Sequence, residues 1–167
     1  MPTTHRGVGA AGAALGISVG VLMQTALAWV PMTCAAIAGL VVEVLTGAEG
    51  PWAISQLALA YVAVAFVGAC LMHELAHVVV AAWGVTSPRF DVEIRLLRCS
   101  VRPLHPLSRG RVILGALAGP GLCITVGCAL AIGSAPAIWV VPFVAHAVSL
   151  LPTFGDGRSI CAALRDA

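Results

Sequence analysis

Long apolar runs recur along this chain, and they restrict its fold more than any other feature of the sequence. The hydrocarbon core of a bilayer is about 30 Å thick, so a helix of about 20 apolar residues crosses it. Hydrophobic residues make up 60% of the chain and charged residues only 10%, against about 45–50% and about a quarter in soluble domains. The sequence therefore predicts an all-α polytopic membrane protein with about four to five transmembrane helices, and the candidate runs are residues 7–30, 32–46, 52–83, 112–133 and 137–151.

The charged residues exclude a nucleic-acid-binding function. Nine arginines, with no lysine, stand against seven acidic residues, and the formal net charge is +2. This balance leaves no basic face large enough to bind a phosphate backbone. The six cysteines are scattered and lie mostly in apolar runs, so we interpret them as small buried apolar residues.

The N-terminal part of the chain, residues 1–51, is predicted to form one membrane helix or a helical hairpin. Its first run carries three glycines at four-residue spacing, a pattern that favours close helix packing in lipid: Gly12, Gly16 and Gly20. A signal peptide is the alternative, since Arg6 precedes the run and residues 26–28 resemble a cleavage site. The second run reaches only about 22 Å and is either a short span or a re-entrant segment. It contains Glu43, which is expected to face protein or water because a carboxylate is costly in lipid.

Residues 52–167 form the predicted core, which consists of three membrane helices and an Arg-rich connection at residues 84–111. Six of the nine arginines lie in this connection, and the positive-inside rule therefore assigns it to the cytoplasm. Within it, residues 90–96 alternate strictly between apolar and polar, which is the period of a half-buried strand. We therefore expect a short membrane-associated β element directly after the third apolar run.

The third run ends in the motif His73-Glu74-Leu75-Ala76-His77. Two histidines four residues apart project from one face of a helix and can share a metal ion. In zinc hydrolases with this pattern, the adjacent glutamate takes a proton from the attacking water. Ionisable side chains inside an apolar helix are costly and therefore indicate a functional site. We predict His73 and His77 as metal ligands and Glu74 as the catalytic base.

A hydrolytic zinc site needs a third protein ligand. We favour Asp156, which lies between two glycines just after the last apolar run. The alternative role of this aspartate is to stabilise a turn or to cap a helix. His146 is a rival ligand, but we assign to it and to Ser149 a supporting role, as a partner of a ligand or a donor to the transition state. His105, between two prolines, is interpreted as a surface residue.

These motifs together resemble the site-2 protease family of intramembrane zinc metalloproteases. The resemblance covers residues 61–158 and rests on the His-Glu motif, on Ala118-Gly119-Pro120, and on Ser149-Leu150-Leu151-Pro152 followed by Asp156-Gly157. It implies one Zn²⁺ per chain held by His73, His77 and Asp156, with Glu74 as base. It also implies a strand that guides an unwound substrate, and a corresponding strand is formed here by Phe90, Val92, Ile94 and Leu96.

The resemblance implies an endopeptidase that cleaves a single-span membrane protein, such as an anti-sigma factor or a similar regulator, in the cell membrane of a bacterium. The active site is expected near the cytoplasmic side, because His73 lies about 32 Å along the helix from Trp52. The family has asparagines where Cys123 and Ser149 stand, and this departure motivates the alternative of a weak or inactive scaffold with the same fold. A metal transporter is the third interpretation, but beyond the motif the membrane runs offer it only His146 and Glu43.

Overall fold

A computed structural model describes residues 3–95 and 98–165, and it consists mostly of helices with one small sheet. The helices are α1 (Ala10–Gln24), α2 (Ala26–Thr46), α3 (Pro51–Tyr61), α4 (Gly68–Ala82), α5 (Arg109–Ile132), α6 (Ala137–Val144) and α7 (Gly155–Arg165), and the strands are β1 (Thr3–Val8), β2 (Phe90–Arg95) and β3 (Arg98–Pro103). A π-helical segment, Val62–Val67, joins α3 to α4, and a 3₁₀ segment, Ala145–Leu150, follows α6.

Four helical segments of the described chain are long and apolar enough to cross a membrane: Ala26–Thr46, Pro51–Ala82, Arg109–Ile132 and Ala137–Arg165. Large apolar side chains on them are exposed, with Leu45, Ile54 and Ile132 at 78%, 72% and 85%. Such surfaces are unusual on a soluble monomer and are compatible with an integral membrane protein.

The N-terminal region differs from its prediction. Residues 7–30 do not form one helix: residues 7 and 8 belong to β1, α1 begins at Ala10, and the helix is interrupted at Thr25, between α1 and α2. The second helix starts at Ala26 and continues through Pro31, which was expected to separate the two runs. Pro31 is the sixth residue of α2, beyond the first turn, so the helix continues through it without the hydrogen bond that residue 31 would donate to the carbonyl of Leu27.

The α2–α3 hairpin explains the carboxylate in the second run. Gly47 and Gly50 have positive φ in the turn, and Pro51 begins α3, a position where proline is favoured. The backbone N–H of Trp52 donates to the Glu43 carboxylate at 3.4 Å, so Glu43 faces the N-terminus of α3 and not lipid, as predicted.

The strand predicted from alternation is confirmed for Phe90–Arg95, whereas Leu96 lies outside the described residues. β2 is the middle strand of an antiparallel sheet with the order β1-β2-β3. Its apolar side chains are buried in a core shared with α1, where Gly16 lies against Val92. One of the three glycines of the first run, Gly16, therefore serves packing within the chain.

The last two apolar runs form α5 and α6, which pack against each other. After α6 the helix tightens into the 3₁₀ segment and ends at Leu151, whose backbone is extended. A turn then leads into α7. This segment, residues 145–157, is irregular, and it carries three of the residues selected from the sequence.

Candidate metal centre

The two histidines of the motif lie together on α4. Their Nε2 atoms are 3.2 Å apart, and their ring centroids are 4.8 Å apart in an edge-to-face arrangement. Four-residue spacing on a regular helix is sufficient for this geometry, because residues i and i+4 are neighbours on one face. His73 is buried and His77 is partly buried, so the pair is turned toward the bundle.

Asp156 joins this pair from the first turn of α7. Its Oδ2 lies 3.2 Å from His73 Nε2, and its Oδ1 lies 3.4 Å from His77 Nε2. A tetrahedral zinc ion with bonds of 2.0–2.2 Å separates its ligand atoms by about 3.3–3.5 Å. The three residues therefore have the chemistry of a zinc site, and one ligand atom from each lies within 4.8 Å of the other two, so they form a group that could hold a metal ion.

Helix α5 fixes the orientation of His77. The Nδ1–H of His77 donates to the carbonyl of Gly115 at 2.7 Å. A carbonyl can only accept, so the neutral ring presents an unprotonated Nε2 toward His73 and Asp156, as metal ligation requires. Gly119, one turn further along α5, has no room for a side chain, since a Cβ there would lie 2.8 Å from His77 Nε2 and 2.9 Å from the His73 carbonyl oxygen.

A second glycine allows Asp156 to reach the histidines. A Cβ on Gly157 would collide with the carbonyl groups of Leu150 and Leu151. The start of α7 thus packs directly on the end of the 3₁₀ segment. Only a residue without a side chain at position 157 permits this contact.

Glu74 lies at a cavity of about 390 Å³ that it shares with His77 and Asp156. The cavity extends between α4, the start of α5, the start of α7 and β3. Its size is within the range of small-molecule and peptide-side-chain sites. The predicted base and two of the predicted ligands therefore line the same cavity.

His146 and Ser149 lie near the metal group but not in it. The His146 ring is 4.9 Å from that of His73, and the buried Ser149 hydroxyl lies near Asp156. His146 Nδ1 is 2.9 Å from the carbonyl of Pro142, so Nδ1 carries the proton and the neutral ring offers an acceptor at Nε2. In this tautomer the neutral ring cannot donate from Nε2, and donation to a transition state would need the protonated ring.

A second group that could hold a metal ion consists of His73, Cys123 and His146. Cys123 is buried and its thiol donates to the carbonyl of Ala69 at 3.4 Å. His73 Nδ1 has no hydrogen-bond partner within the described residues. Because both groups contain His73, an ion held by the first takes a ligand from the second.

The predicted guiding strand is only partly at the site. Phe90 lines the cavity. Val92 and Ile94 do not line it and are buried in the core that β2 shares with α1. β2 is paired on both edges, so it has no edge to offer to another strand. The cavity is lined instead by Ser100, Val101 and Pro103 of β3, which no sequence argument selected.

His105 differs from its interpretation as a surface residue. It is half-buried, its Nε2 lies 3.0 Å from the carbonyl of Ala81, and its ring contacts Phe90 edge to face. The residue therefore attaches the loop after β3 to the end of α4. Two further residues of the site, Gly115 and Arg111, were also missed, because a backbone acceptor and a cavity-lining arginine have no sequence signature.

No family model matches this chain, and no curated protein or solved structure matches it significantly.

Proposed function

We propose that this protein is an intramembrane zinc metalloendopeptidase, which hydrolyses a peptide bond in or near the transmembrane segment of another membrane protein. The observation that carries the proposal is the convergence of His73, His77 and Asp156, whose ligand atoms lie within 4.8 Å of one another, beside a cavity that Glu74 also lines. The resemblance of the motifs to the site-2 protease family agrees with this assignment.

The chain's own residues divide the work at the site. Zinc bound by the three ligands would supply Lewis acidity, which activates water for attack on a carbonyl near neutral pH. Glu74 then accepts the proton of the attacking water on its carboxylate and returns it to the leaving nitrogen. The hydrogen bond from His77 Nδ1 to Gly115 keeps Nε2 of His77 directed at the metal.

β3 is the strand that we assign to substrate guidance. A helical substrate hides its carbonyl groups in its own hydrogen bonds, so it must unwind before hydrolysis. An extended segment can then pair with the free edge of a strand. In the described sheet, β3 is paired on one edge only, and it lines the cavity that contains Glu74. The guiding role therefore passes from the residues chosen on β2 to β3.

The proposed substrate is a single-span membrane protein, because the four apolar helical segments are compatible with a protein embedded in lipid. The Arg-rich connection between α4 and α5 lies at the same end of α4 as the motif. By the positive-inside rule this end is cytoplasmic, so water reaches the site from the cytoplasm.

The proposal is tested with detergent-purified protein in two measurements, metal content by mass spectrometry and cleavage of a single-span reporter protein. Wild type is expected to contain about one zinc per chain. Glu74→Gln is expected to keep the zinc and lose cleavage by at least about a hundredfold, because a general base contributes about 10²- to 10⁴-fold.

Glu43→Gln is the matched control, since Glu43 is also a glutamate of a membrane helix but caps α3 away from the site. It is expected to retain both zinc and cleavage. Cleavage that survives Glu74→Gln would overturn the assigned base. Zinc without any cleavage would favour the inactive scaffold, and transport of zinc by reconstituted vesicles would favour the transporter.

A further inference from the structure

The cavity beside the metal group contains one charged residue that the proposed reaction does not use. Apart from Glu74, His77 and Asp156, the described lining residues are uncharged except for Arg111. Arg111 is half-buried, and its guanidinium forms no ion pair or hydrogen bond with the described residues. A cation held partly out of water without a counter-charge is costly unless a ligand supplies the charge.

Arg111 lies on the face of α5 that packs against the two histidines of the metal group. Arg111, Gly115 and Gly119 follow one another at four-residue spacing, so they share a face of the helix. Gly115 accepts the hydrogen bond of His77, and Gly119 contacts both histidines. Arg111 therefore lies one turn, about 6 Å, beyond the point where His77 is attached. Its guanidinium lies beside Gly84, just past the end of α4.

The chemistry of the Arg111 guanidinium indicates which kind of ligand it would bind. A guanidinium presents paired N–H donors that match the two oxygens of a carboxylate. An extended peptide advances about 3.3 Å per residue. The Arg111 backbone lies about 6 Å beyond Gly115, and its guanidinium lies beside Gly84, about 10 Å along α4 from His77, so the guanidinium corresponds to about two to three residues of such a peptide. β3 lines the same cavity, and a peptide paired with it would extend along the strand.

We propose that Arg111 binds a carboxylate of the substrate about two to three residues from the scissile bond. This inference rests on the proposed function and makes it more specific: the preferred substrate carries an acidic side chain there, or ends there with a free C-terminal carboxylate. Both sources present the same group, and the experiment separates them.

The test uses a set of reporter peptides that carry glutamate or glutamine at each of the three positions on either side of the cleaved bond. A second set ends two or three residues beyond that bond as a free acid or as an amide. For wild type, the acid is expected to be preferred over its amide by about tenfold to a hundredfold in kcat/KM at one position or at the C-terminus. Arg111→Gln is expected to abolish this preference while still cleaving the amide peptides, and Arg111→Lys to keep part of it.

Arg109→Gln is the matched control, because Arg109 lies in the same helical turn but is exposed and does not line the cavity. It is expected to keep the full preference. If Arg111 only anchors α5 at the membrane surface, Arg111→Gln lowers cleavage of acid and amide peptides equally, and this result overturns the proposal.

A binding measurement separates this proposal from the proposed function. Binding of the same peptides is measured on Glu74→Gln and on the double variant Glu74→Gln/Arg111→Gln, so that no turnover is needed. If Glu74→Gln binds the acid more tightly than the amide and the double variant does not, the carboxylate site is supported even if no peptide is cleaved. Equal binding of acid and amide to Glu74→Gln overturns it.

Discussion

Two segments of very different regularity deliver the ligands to the candidate metal centre. α4 is a regular helix, and its four-residue spacing alone brings His73 and His77 together. Residues 145–157 contain a 3₁₀ turn, an extended residue and the start of another helix before Asp156 reaches the same point. The first half of the site is therefore a local property of the chain, and the second half depends on packing. In each half, substitution of a ligand should remove a donor atom, and substitution of a glycine packed against the ligands should displace one.

Removal of a ligand from either half is expected to have the largest effect. His77→Ala and Asp156→Ala each leave two of three donors, so zinc affinity should fall by more than about a hundredfold, beyond the 10- to 100-fold cost of changing a residue that only supports a ligand. The measurement is a zinc titration against a chelator, with circular dichroism to verify the helical content. Wild-type affinity in Asp156→Ala would mean that the irregular half does not contribute a ligand.

Gly157→Ala tests the irregular half without removing any donor. The added methyl group collides with the carbonyls of Leu150 and Leu151, so α7 must move and carry Asp156 away from the histidines. Zinc affinity should fall by at least about tenfold. Gly155→Ala is the control, since a Cβ there meets nothing within 4 Å. Equal titration curves for the two variants would contradict the packing argument.

Gly119→Ala tests the regular half in the same way, and a smaller effect is expected. Its methyl group would lie 2.8 Å from His77 Nε2 and 2.9 Å from the His73 carbonyl oxygen, a smaller overlap than at Gly157, so a loss of about three- to tenfold in zinc affinity is expected. Gly121→Ala, with open space around its Cβ position, is expected to bind as wild type. A larger loss in Gly119→Ala than in Gly157→Ala would reverse the proposed ranking of the two halves.

Cys123→Ala is expected to have the smallest effect on the metal. It removes a buried thiol beside His73 and should lower the free energy of unfolding by about 1 kcal/mol while changing zinc affinity by less than about threefold. Cys128→Ala, at an exposed position, is the control. If Cys123→Ala loses zinc as completely as His77→Ala, the ion is held by His73, Cys123 and His146 instead.

The sequence predicted the helical fold, the helices in the three apolar runs of the core, and the strand at residues 90–95. Each of these has a periodicity or a length that only one type of secondary structure explains. It placed the boundaries of the first helix wrongly, since neither the strand at residues 3–8 nor the break at Thr25 is visible in a run that composition shows as continuous. It also missed β1 and β3, whose pairing with β2 is a long-range property.

By itself, the sequence determined which residues have the chemistry for a metal site. The spacing of His73 and His77 fixes their geometry on any helix, and Asp156 was selected by its type and its flanking glycines. Only the tertiary structure decided that Asp156 reaches the histidines, that α5 orients His77 through a backbone carbonyl, and that β3 and Arg111 line the cavity. The reason is physical: a local period reports which face a side chain takes, whereas contacts between distant segments depend on how closely their backbones pack.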